Sequence, residues 1–310
     1  MIEAAAERLA GRARRTPLLS SPVLNDLAGR QVFLKAECLQ HTGSFKFRGA
    51  WNAVSALNPT GVIAFSSGNH AQGVALSARI KGIPAVIIMP ADAPAIKIDN
   101  TRNLGAEVIL YDRATEDRDE IGARLAAERG LTLIKPFDMA EVIAGQGTTG
   151  LEIADQAAEL GVGDGQVFVP CGGGGLTSGI ALALEARAPG LRVHPCEPEG
   201  FDDVARSQAT GRLERNSRLS GSICDAIVTP QAGDLTWPVI QRLCGLGCVV
   251  TEEQALKAMG LAHDWLKVVL EPGGAVALAA ALFSGGSGPV IAVASGGNVD
   301  RAMMIRALKI

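Results

Sequence analysis

The stretch QVFVPCGGGGLTSGIALALEAR, residues 166–187, contains the pattern that decides the fold class. A short apolar run, residues 166–170, leads into four glycines after one cysteine, and an Ala-rich segment of helical length follows. An apolar strand followed directly by a helix is typical of parallel sheets that are covered by helices on both faces. Ligands bind at the carboxyl ends of such strands. The stretch therefore predicts an α/β fold with a site at its glycine loop.

The same alternation runs along the rest of the chain. Eight further β-branched runs of strand length alternate with Ala-rich helical segments: residues 31–37, 61–66, 85–90, 107–112, 131–136, 192–197, 247–251 and 289–295. Glycine-rich turns lie at the ends of three of the nine predicted strands: SSGNH (66–70), CGGGGL (171–176) and SGGN (295–298). We expect parallel sheets flanked by helices, with the functional site at these three turns.

Composition excludes several classes of protein. The chain has 310 residues, of which 47% are hydrophobic and 20% charged, with a formal net charge of −3, as in a globular protein. It has no basic patch with interleaved aromatic residues, so we expect no nucleic-acid partner. The opening MIEAAAERLAGRA lacks the apolar centre of a signal peptide, and no run approaches the ~20 apolar residues of a membrane span. We therefore expect a cytoplasmic protein without a membrane partner.

The four glycines at 172–175 need a physical reason, because glycine loses more backbone entropy on folding than any other residue. Backbone N–H groups that must approach an anion at a helix N-terminus provide one, whereas a merely tight turn would need one or two glycines. A dinucleotide-binding loop is the rival interpretation, and Glu197 at the end of the next strand supports it. Its GxGxxG fingerprint fails because Thr177 or Ser178 occupies the last glycine position in either register. We therefore predict a phosphate site.

The segment HTGSFKFRGA, residues 41–50, places Lys46 between two phenylalanines and behind a glycine and a serine. A lone lysine at a helix start is ordinarily a solvated surface residue. Here Phe45 and Phe47 would desolvate the amine, lower its pKa and favour the neutral form that reacts with a carbonyl group. A reactive lysine together with a phosphate loop is what an enzyme with pyridoxal phosphate (PLP) as cofactor needs.

Seven segments of the chain, in order and approximate spacing, resemble those of the fold type II PLP-dependent enzymes, specifically the serine/threonine dehydratase and serine racemase family. They are GSFKFRGA (43–50), SSGNHAQGVA (66–75), VIAGQGT (142–148), PCGGGGL (170–176), CEPEGFDD (196–203), EPGGAVALAA (271–280) and SGGNVD (295–300). The resemblance spans essentially the whole chain. It implies a homodimer with a two-domain, tryptophan synthase β-like fold. Residues 1–50 and 140–310 would form a large PLP-binding domain, and residues 51–139 a small mobile domain that closes over the substrate.

The family's residue roles carry over to matching positions in this chain. By the resemblance, Lys46 is the catalytic Schiff-base lysine, and Ser67 is the catalytic base that serine racemases have on the opposite face of the cofactor. The implied cofactor-binding residues are Lys46, Phe45, Asn69, Gly172, Gly173, Gly174, Gly175, Leu176 and Ser295. The implied substrate-binding residues are Ser66, Ser67, Gly68, Asn69 and His70.

The residue types agree with several of these roles. The Asn69 amide suits the ring hydroxyl of the cofactor, and backbone amides of residues 66–70 open a helix, where a substrate carboxylate can bind. Ser295 would face the pyridine nitrogen of the cofactor. Because a hydroxyl cannot keep that nitrogen firmly protonated, the ring withdraws electrons weakly and elimination competes well. His70 is more simply explained as a packed histidine than as a catalytic base.

The resemblance implies a PLP-dependent carbon–nitrogen lyase that converts serine, threonine or 3-hydroxyaspartate to a 2-oxo acid and ammonia. A serine or aspartate racemase is the alternative, because Ser67 stands where common threonine dehydratases have alanine. A non-catalytic amino-acid or nucleotide-binding protein is a third class. The pair Asp225-Ala226 departs from the family's usual acid–glycine pair. The chain ends at Ile310 without the regulatory extension of biosynthetic threonine dehydratases, so we expect no feedback inhibition.

The segment CEPEGFDD resembles the family's divalent-cation site. The resemblance implies Mg²⁺ (or Mn²⁺ or Ca²⁺) held by the carboxylates of Glu197 and Asp203, the backbone carbonyl of Phe201 and waters. Oxygen ligands suit these hard ions. An ordinary acidic turn, with Asp202 or Asp203 as a helix N-cap, is the alternative. The six cysteines lack a CxxC pair, and with only four histidines they indicate neither a zinc cluster nor a disulfide framework.

Overall fold

A computed structural model of the chain describes residues 1–66, 68–91, 93, 95–112 and 115–310. The strands are β1 (Leu18–Leu19), β2 (Val32–Lys35), β3 (Val62–Phe65), β4 (Ala85–Pro90), β5 (Glu107–Tyr111), β6 (Thr132–Leu133), β7 (Gly165–Pro170), β8 (Leu191–Pro198), β9 (Cys248–Val250) and β10 (Val290–Val293). The α-helices are α1 (Ile2–Leu9), α2 (Pro22–Ala28), α3 (Lys46–Leu57), α4 (Asn69–Lys81), α5 (Ala95–Asn103), α6 (Arg118–Arg129), α7 (Ala140–Glu159), α8 (Gly175–Arg187), α9 (Asp203–Thr210), α10 (Thr236–Leu243), α11 (Glu252–Leu266), α12 (Pro272–Phe283) and α13 (Arg301–Ala307).

The strands form two sheets. One has six strands in the order β1-β2-β10-β7-β8-β9, and the other has four in the order β5-β4-β3-β6. Within the described parts of the chain, β1 pairs with β2 in the antiparallel sense and the other neighbours pair in parallel. Helices pack on both faces of the sheets. The predicted α/β class with parallel sheets flanked by helices is confirmed.

The central strands are buried on both faces, which explains their uninterrupted apolar sequences. In β10, Val290 and Ala292 pack in one core with α11 and α12, whereas Ile291 and Val293 pack in a second core with α7 and α8. Alternate residues of β4 are divided in the same way between a core with α4 and a core with α6. Successive side chains of a strand point to opposite faces, so a strand covered on both faces must be apolar throughout.

The topology brings the three glycine turns to the carboxyl ends of β3, β7 and β10, which end at Phe65, Pro170 and Val293. The four-stranded sheet uses residues 62–133, and the six-stranded sheet uses strands that lie before and after this segment. The domain boundaries at residues 50 and 140 stay a prediction. In the described part of the chain, every helix is too short or too polar to cross a membrane.

Candidate active site

A cavity lies where the glycine turns and the lysine loop meet. Its lining includes all the predicted cofactor-binding residues: Phe45, Lys46, Asn69, Gly172, Gly173, Gly174, Gly175, Leu176 and Ser295. It also includes four predicted substrate-binding residues: Ser66, Gly68, Asn69 and His70. Ser67 lies outside the described residues. The structure therefore brings together residues that follow strands of both sheets. Two of them, Ser66 and Ser295, are more than 200 positions apart in the chain.

Backbone hydrogen bonds fix the position of Lys46, the first residue of α3. The N–H of Phe45 donates to the carbonyl of Ser295 over 3.1 Å, and the N–H of Gly297 donates to the carbonyl of Gly43 over 2.9 Å. These bonds join the loop before α3 to the turn after β10. Ser44 and Gly296 form an isolated antiparallel β-bridge between these two segments. Lys46 and Ser295, the serine predicted to face the pyridine nitrogen, are therefore held close to this bridge.

A buried ion network holds the same helix end from the other side. The guanidinium of Arg48 makes two hydrogen bonds of 2.8 Å to the carboxylate of Glu37. It also donates to both carboxylate oxygens of Glu152 on α7, and one of them, Oε2, accepts a further hydrogen bond from Lys35. Bidentate arginine–carboxylate bonds specify geometry, so this network fixes the first turn of α3 against α7.

The surroundings of Lys46 lower the pKa of its amine, so a larger fraction of the amine is neutral at a given pH than in a solvated lysine. Its Nζ donates to the carbonyl of Pro136 over 3.0 Å and lies 5.1 Å from the centre of the Phe45 ring. Burial lowers the pKa of Lys46 to about 8, although the carboxylate of Glu271 opposes that shift. A lowered pKa is what a lysine needs if its amine is to act as a nucleophile or a base.

The expectation that Phe47 helps to desolvate the amine is wrong. Phe47 packs in a separate apolar cluster with Leu9 and Trp51, and its ring stacks on Trp51. Lys46 and Phe47 are consecutive residues of a helix, so their side chains leave the axis about 100° apart. Phe45, which precedes the helix, is the phenylalanine that faces the cavity.

The glycine loop is glycine-rich partly because the protein behind it leaves no room for side chains. A Cβ on Gly172 would lie 2.7 Å from the carbonyl oxygen of Ile227, and one on Gly175 would lie 2.6 Å from Oε1 of Gln146. Gly174 has a φ of +85°, which side chains rarely tolerate. The first N–H groups of an α-helix have no acceptor within the helix, and the first residues of α8, Gly175 and Leu176, line the cavity, so the positive end of this helix lies at the cavity.

A chain of hydrogen bonds ends at Glu271, which the sequence predictions did not include. Nδ2 of Asn298 donates to the carbonyl of Thr42 over 2.8 Å and to Oδ1 of Asn69 over 2.7 Å. Nδ2 of Asn69 donates to Oε1 of Glu271 over 2.5 Å. Burial raises the pKa of Glu271 to about 7, while the bond from Asn69 favours the charged form. The sequence signal was its place at the head of EPGGAVALAA, a motif without an assigned role.

His70 is a buried, neutral histidine. Its Nε2 lies 2.8 Å from the carbonyl oxygen of Ile134, so this nitrogen carries the proton and donates. Burial, followed by the nearby charge of Lys46, lowers the pKa of His70 to about 3. Nδ1 is buried without a hydrogen-bond partner among the described residues. These contacts are those of a packed histidine.

An ion pair lies at the rim of the cavity. Nζ of Lys97 on α5 is 2.7 Å from a carboxylate oxygen of Asp225, and Ala226 follows in the cavity wall. Lys97 belongs to a helix of the four-stranded part, whereas Asp225 lies in a short 3₁₀ helix, Asp225–Ile227, beside α12. The pair therefore connects α5, which packs beside the four-stranded sheet, to the 3₁₀ helix beside α12, and both of its residues line the cavity.

The predicted metal ligands lie outside this cavity, at the end of β8 and the start of α9. Both carboxylate oxygens of Glu197 accept hydrogen bonds from backbone N–H groups, those of Val204 and Ala205. Oδ1 of Asp203 accepts from Asn216, and Oδ2 is buried without a partner in the described chain. No group of three or more His, Cys, Asp or Glu side chains suited to a metal is found among the described residues.

The alternative of an aspartate at the N-cap of α9 is confirmed for the position of Asp202 but not for a capping side chain. Asp202 occupies the N-cap position, but its side chain makes no capping hydrogen bond. Glu197 satisfies the first amides of α9 from the neighbouring strand instead. A carboxylate at a helix N-terminus is stabilised by the helix dipole wherever in the sequence it comes from.

Comparisons with known proteins agree with this geometry. A family model described as "Pyridoxal-phosphate dependent enzyme" matches residues 9–296. The chain is 42% identical to L-threo-3-hydroxyaspartate ammonia-lyase of Saccharomyces cerevisiae, over 96% of this chain and 91% of the relative. The threonine deaminase of T.th. has a TM-score of 0.91 and 43% identity, with 96% of this chain and 97% of that one covered. Maize serine racemase has a TM-score of 0.90 and 38% identity, with 99% and 95% covered.

Proposed function

Because the chain belongs to the pyridoxal-phosphate dependent enzyme family, we propose that it is an ammonia-lyase that converts a β-hydroxy amino acid to a 2-oxo acid and ammonia. The observation that carries the proposal is the convergence of Lys46, Asn69, the glycine loop and Ser295 on one cavity. The ammonia-lyase and deaminase relatives support the same reaction class, with serine, threonine and 3-hydroxyaspartate as candidate substrates.

The residues present fit the cofactor. The glycine loop lies at the N-terminus of α8, and a Cβ at its glycines would overlap neighbouring protein atoms, so its backbone can approach a phosphate group without side chains between them. The Asn69 amide can donate to a ring hydroxyl, and the Ser295 hydroxyl can face a ring nitrogen. When bound, pyridoxal phosphate supplies an electron-withdrawing ring that stabilises negative charge at the substrate Cα.

The chain's own residues then position the substrate and move protons. Lys46, with its lowered pKa, takes the proton from Cα as a general base. The backbone at the start of α4, with Ser66 and Gly68, holds the substrate carboxylate. Ser295 accepts or shares a proton only weakly, which favours departure of the β-hydroxyl over a long-lived carbanion. The β-hydroxyl would take up a proton, which the protonated Lys46 can return as a general acid, and leave as water. A second water would then hydrolyse the unsaturated amine that remains to the 2-oxo acid and ammonia.

The Lys46→Ala variant tests this proposal. We expect reconstituted wild-type protein to show the absorption of lysine-bound PLP and to release 2-oxo acid from at least one of L-serine, L-threonine and L-threo-3-hydroxyaspartate. Lys46→Ala should lose that absorption band, and its turnover should fall by at least about a hundredfold because the general base is gone. Lys309→Ala, at an exposed position, is the matched control. Normal turnover in Lys46→Ala would contradict the proposal, and binding without turnover in wild type would indicate a non-catalytic protein.

Racemisation of serine or aspartate on the same scaffold is the second candidate function. It is favoured by the similarity to maize serine racemase and by the serine at position 67. We propose Ser67 as the second base, which would exchange a proton with Cα on the face opposite Lys46. We propose a cytoplasmic homodimer in either case, on the strength of the family resemblance.

We also propose that Glu197, Asp203 and the carbonyl of Phe201 hold Mg²⁺, Mn²⁺ or Ca²⁺. The support is the unpartnered, buried Oδ2 of Asp203 beside the buried carboxylate of Glu197. All the donors are oxygen atoms, which these ions prefer. Since the site lies away from the cavity, the ion would stabilise the turn between β8 and α9 and take no part in proton transfer.

A further inference from the structure

A buried carboxylate in the cavity, that of Glu271, has no role in the reaction described above. The residue is 4% exposed. It directly precedes α12, yet its side chain makes no capping hydrogen bond to that helix. Within the described chain, its carboxylate accepts one hydrogen bond, from Nδ2 of Asn69. Because a buried carboxylate is costly to desolvate, its position facing Asn69 points to a task in the cavity.

The hydrogen bonds define which way each amide points. The carbonyl of Thr42 can only accept, so the atom of Asn298 that faces it must be the donor Nδ2. Nδ2 of Asn298 also faces Asn69, so the atom that it meets there must be the acceptor Oδ1. The NH₂ group of Asn69 is therefore directed at Glu271. One hydrogen of that group is bonded to the carboxylate, and no residue that the structure describes accepts the second, which can serve a ligand in the cavity.

Glycines at both ends leave the space that this chain of amides occupies. A Cβ on Gly43, which has a φ of +72°, would lie 3.2 Å from Cγ of Asn298. A Cβ on Gly296 would overlap Oε1 of Glu271. The glycines of two separate motifs thus make room for the network, and a side chain at either position would displace one of its members.

We propose that Glu271 is a positioning residue that acts through Asn69 on the ring hydroxyl of the cofactor. The carboxylate holds the plane of the Asn69 amide and polarises its NH₂ group, so that the remaining N–H is aimed at the hydroxyl oxygen. A charge-assisted hydrogen bond is about twice as strong as a neutral one, which makes a carboxylate better suited to this task than an amide. The inference rests on the proposed function, because it requires PLP bound at Lys46.

A double-mutant cycle on PLP affinity tests the inference. The dissociation constant for PLP and the absorption maximum of the bound cofactor are measured by titrating apoprotein of wild type, Glu271→Ala, Asn69→Ala and the double variant. We expect each single variant to bind PLP about tenfold more weakly and the double variant to bind no more weakly than Asn69→Ala. The absorption maximum should shift in Glu271→Ala, because the environment of the ring hydroxyl changes.

Two further variants make the result specific. Glu271→Gln keeps an acceptor for Asn69 but removes the charge, so it should lose part of the affinity and keep the orientation. If Glu271→Ala does not fold, the cycle is run with Glu271→Gln. Glu253→Gln removes a carboxylate from an exposed position of α11 that does not line the cavity, and it should leave PLP affinity unchanged.

Two results would overturn the inference: independent losses in the Glu271 and Asn69 variants, which multiply in the double variant, or an unchanged affinity and spectrum in every Glu271 variant. A wild-type protein that does not bind PLP, or a Lys46→Ala variant with an unaltered bound-cofactor spectrum, would instead contradict the proposed function itself.

Discussion

At the scale of the residue, the cavity contains two buried ionisable groups of opposite charge, the amine of Lys46 and the carboxyl group of Glu271. Burial lowers the pKa of Lys46 to about 8 and raises that of Glu271 to about 7. Each group therefore exchanges its proton within reach of neutral pH, and each favours the charged form of the other. Lys97 and Asp225 at the rim add one further charge of each sign. The cavity thus contains a lysine that can serve as a base without leaving an uncompensated buried charge.

The position of the second proton-transfer group decides between elimination and racemisation. Elimination needs one base and an exit for the hydroxyl, whereas racemisation needs a second group on the opposite face. We expect Ser67→Ala to keep most of the 2-oxo acid release from the L-substrate and to lose both racemisation and action on the D-enantiomer. Chiral chromatography of serine after incubation, combined with a 2-oxo acid assay, measures both activities.

Ser66→Ala is the matched control for that experiment. Oγ of Ser66 accepts a hydrogen bond from the N–H of Gly68, so the hydroxyl belongs to the proposed carboxylate site. Its removal should lower both activities together. Unchanged racemisation in Ser67→Ala would contradict the two-base assignment, and wild-type racemisation faster than ammonia release would make racemase the leading function.

Residues with an unusual local sequence were predictable, and residues defined by tertiary contacts were not. A lysine between two phenylalanines and four glycines in a row are rare enough to indicate chemistry without a structure. Glu271 stands before a proline and two glycines, which is how many helices begin. Its significance comes from Asn69, 202 positions away. The prediction for Phe47 is wrong for a different reason. Phe45 and Phe47 are treated as equivalent neighbours of Lys46, whereas Lys46 begins a helix, so Phe45 precedes that helix and Phe47 lies within it.

At the scale of the element, each of the nine predicted strands is present, because short β-branched runs bounded by turn residues are typical of strands. The two-residue strand β1, Leu18–Leu19, was missed because it is too short for any pattern. β6 spans only Thr132–Leu133 of the predicted run 131–136. The capping of α9 by Glu197 also lay beyond the sequence, since it links two elements rather than neighbours along the chain.

Variants at the junction of β8 and α9 distinguish a structural role of its carboxylates from a metal-binding role. Asp203→Asn keeps the shape of the side chain but removes its charge, so it should abolish stabilisation by the ion while the apoprotein stays folded. Wild-type protein should gain about 2.7 kcal/mol in free energy of unfolding when the ion is present at 100 times its dissociation constant. Thermal unfolding with chelator, Mg²⁺, Mn²⁺ or Ca²⁺ measures the difference.

Glu197→Ala and Asp202→Asn complete the comparison. Glu197→Ala should lose stability even in chelator, roughly 1–3 kcal/mol for each of the two amides left without a partner. Asp202→Asn, at the adjacent position, should respond to the ion like wild type. An Asp203→Asn variant that responds like wild type would place the ion elsewhere or show that none is bound.

At the scale of the whole molecule, the order of strands explains why one cavity collects motifs from the entire chain. β10, the last strand, pairs with both β2 and β7, so the turn that follows it lies beside the lysine loop and the glycine loop. The sequence predicts which segments are strands, but their pairing depends on packing between distant segments, which periodicity does not encode. The contact between the two sheets at the cavity has the same origin.

We predict that residues 51–139 close over the substrate, and the ion pair between Lys97 and Asp225 should contribute to that closure. Asp225 is 60% exposed at its side chain, so the pair contributes only about 0–1 kcal/mol. We expect Lys97→Met and Asp225→Asn each to raise the KM of the substrate by up to about fivefold at low salt, with no further loss in the double variant. The effect should shrink at 1 M salt, where charges are screened within ~3 Å.

The pair between Arg129 and Glu107 provides the matched control, because it is also exposed but lies within the four-stranded part, between α6 and β5. Arg129→Met should therefore leave the KM unchanged. An increase in KM in Lys97→Met without one in Asp225→Asn would show that the lysine acts on the substrate directly. If the increases in KM of Lys97→Met and Asp225→Asn multiply in the double variant, the two residues act independently. Their ion pair would then not be the cause of the increases and would not contribute to closure.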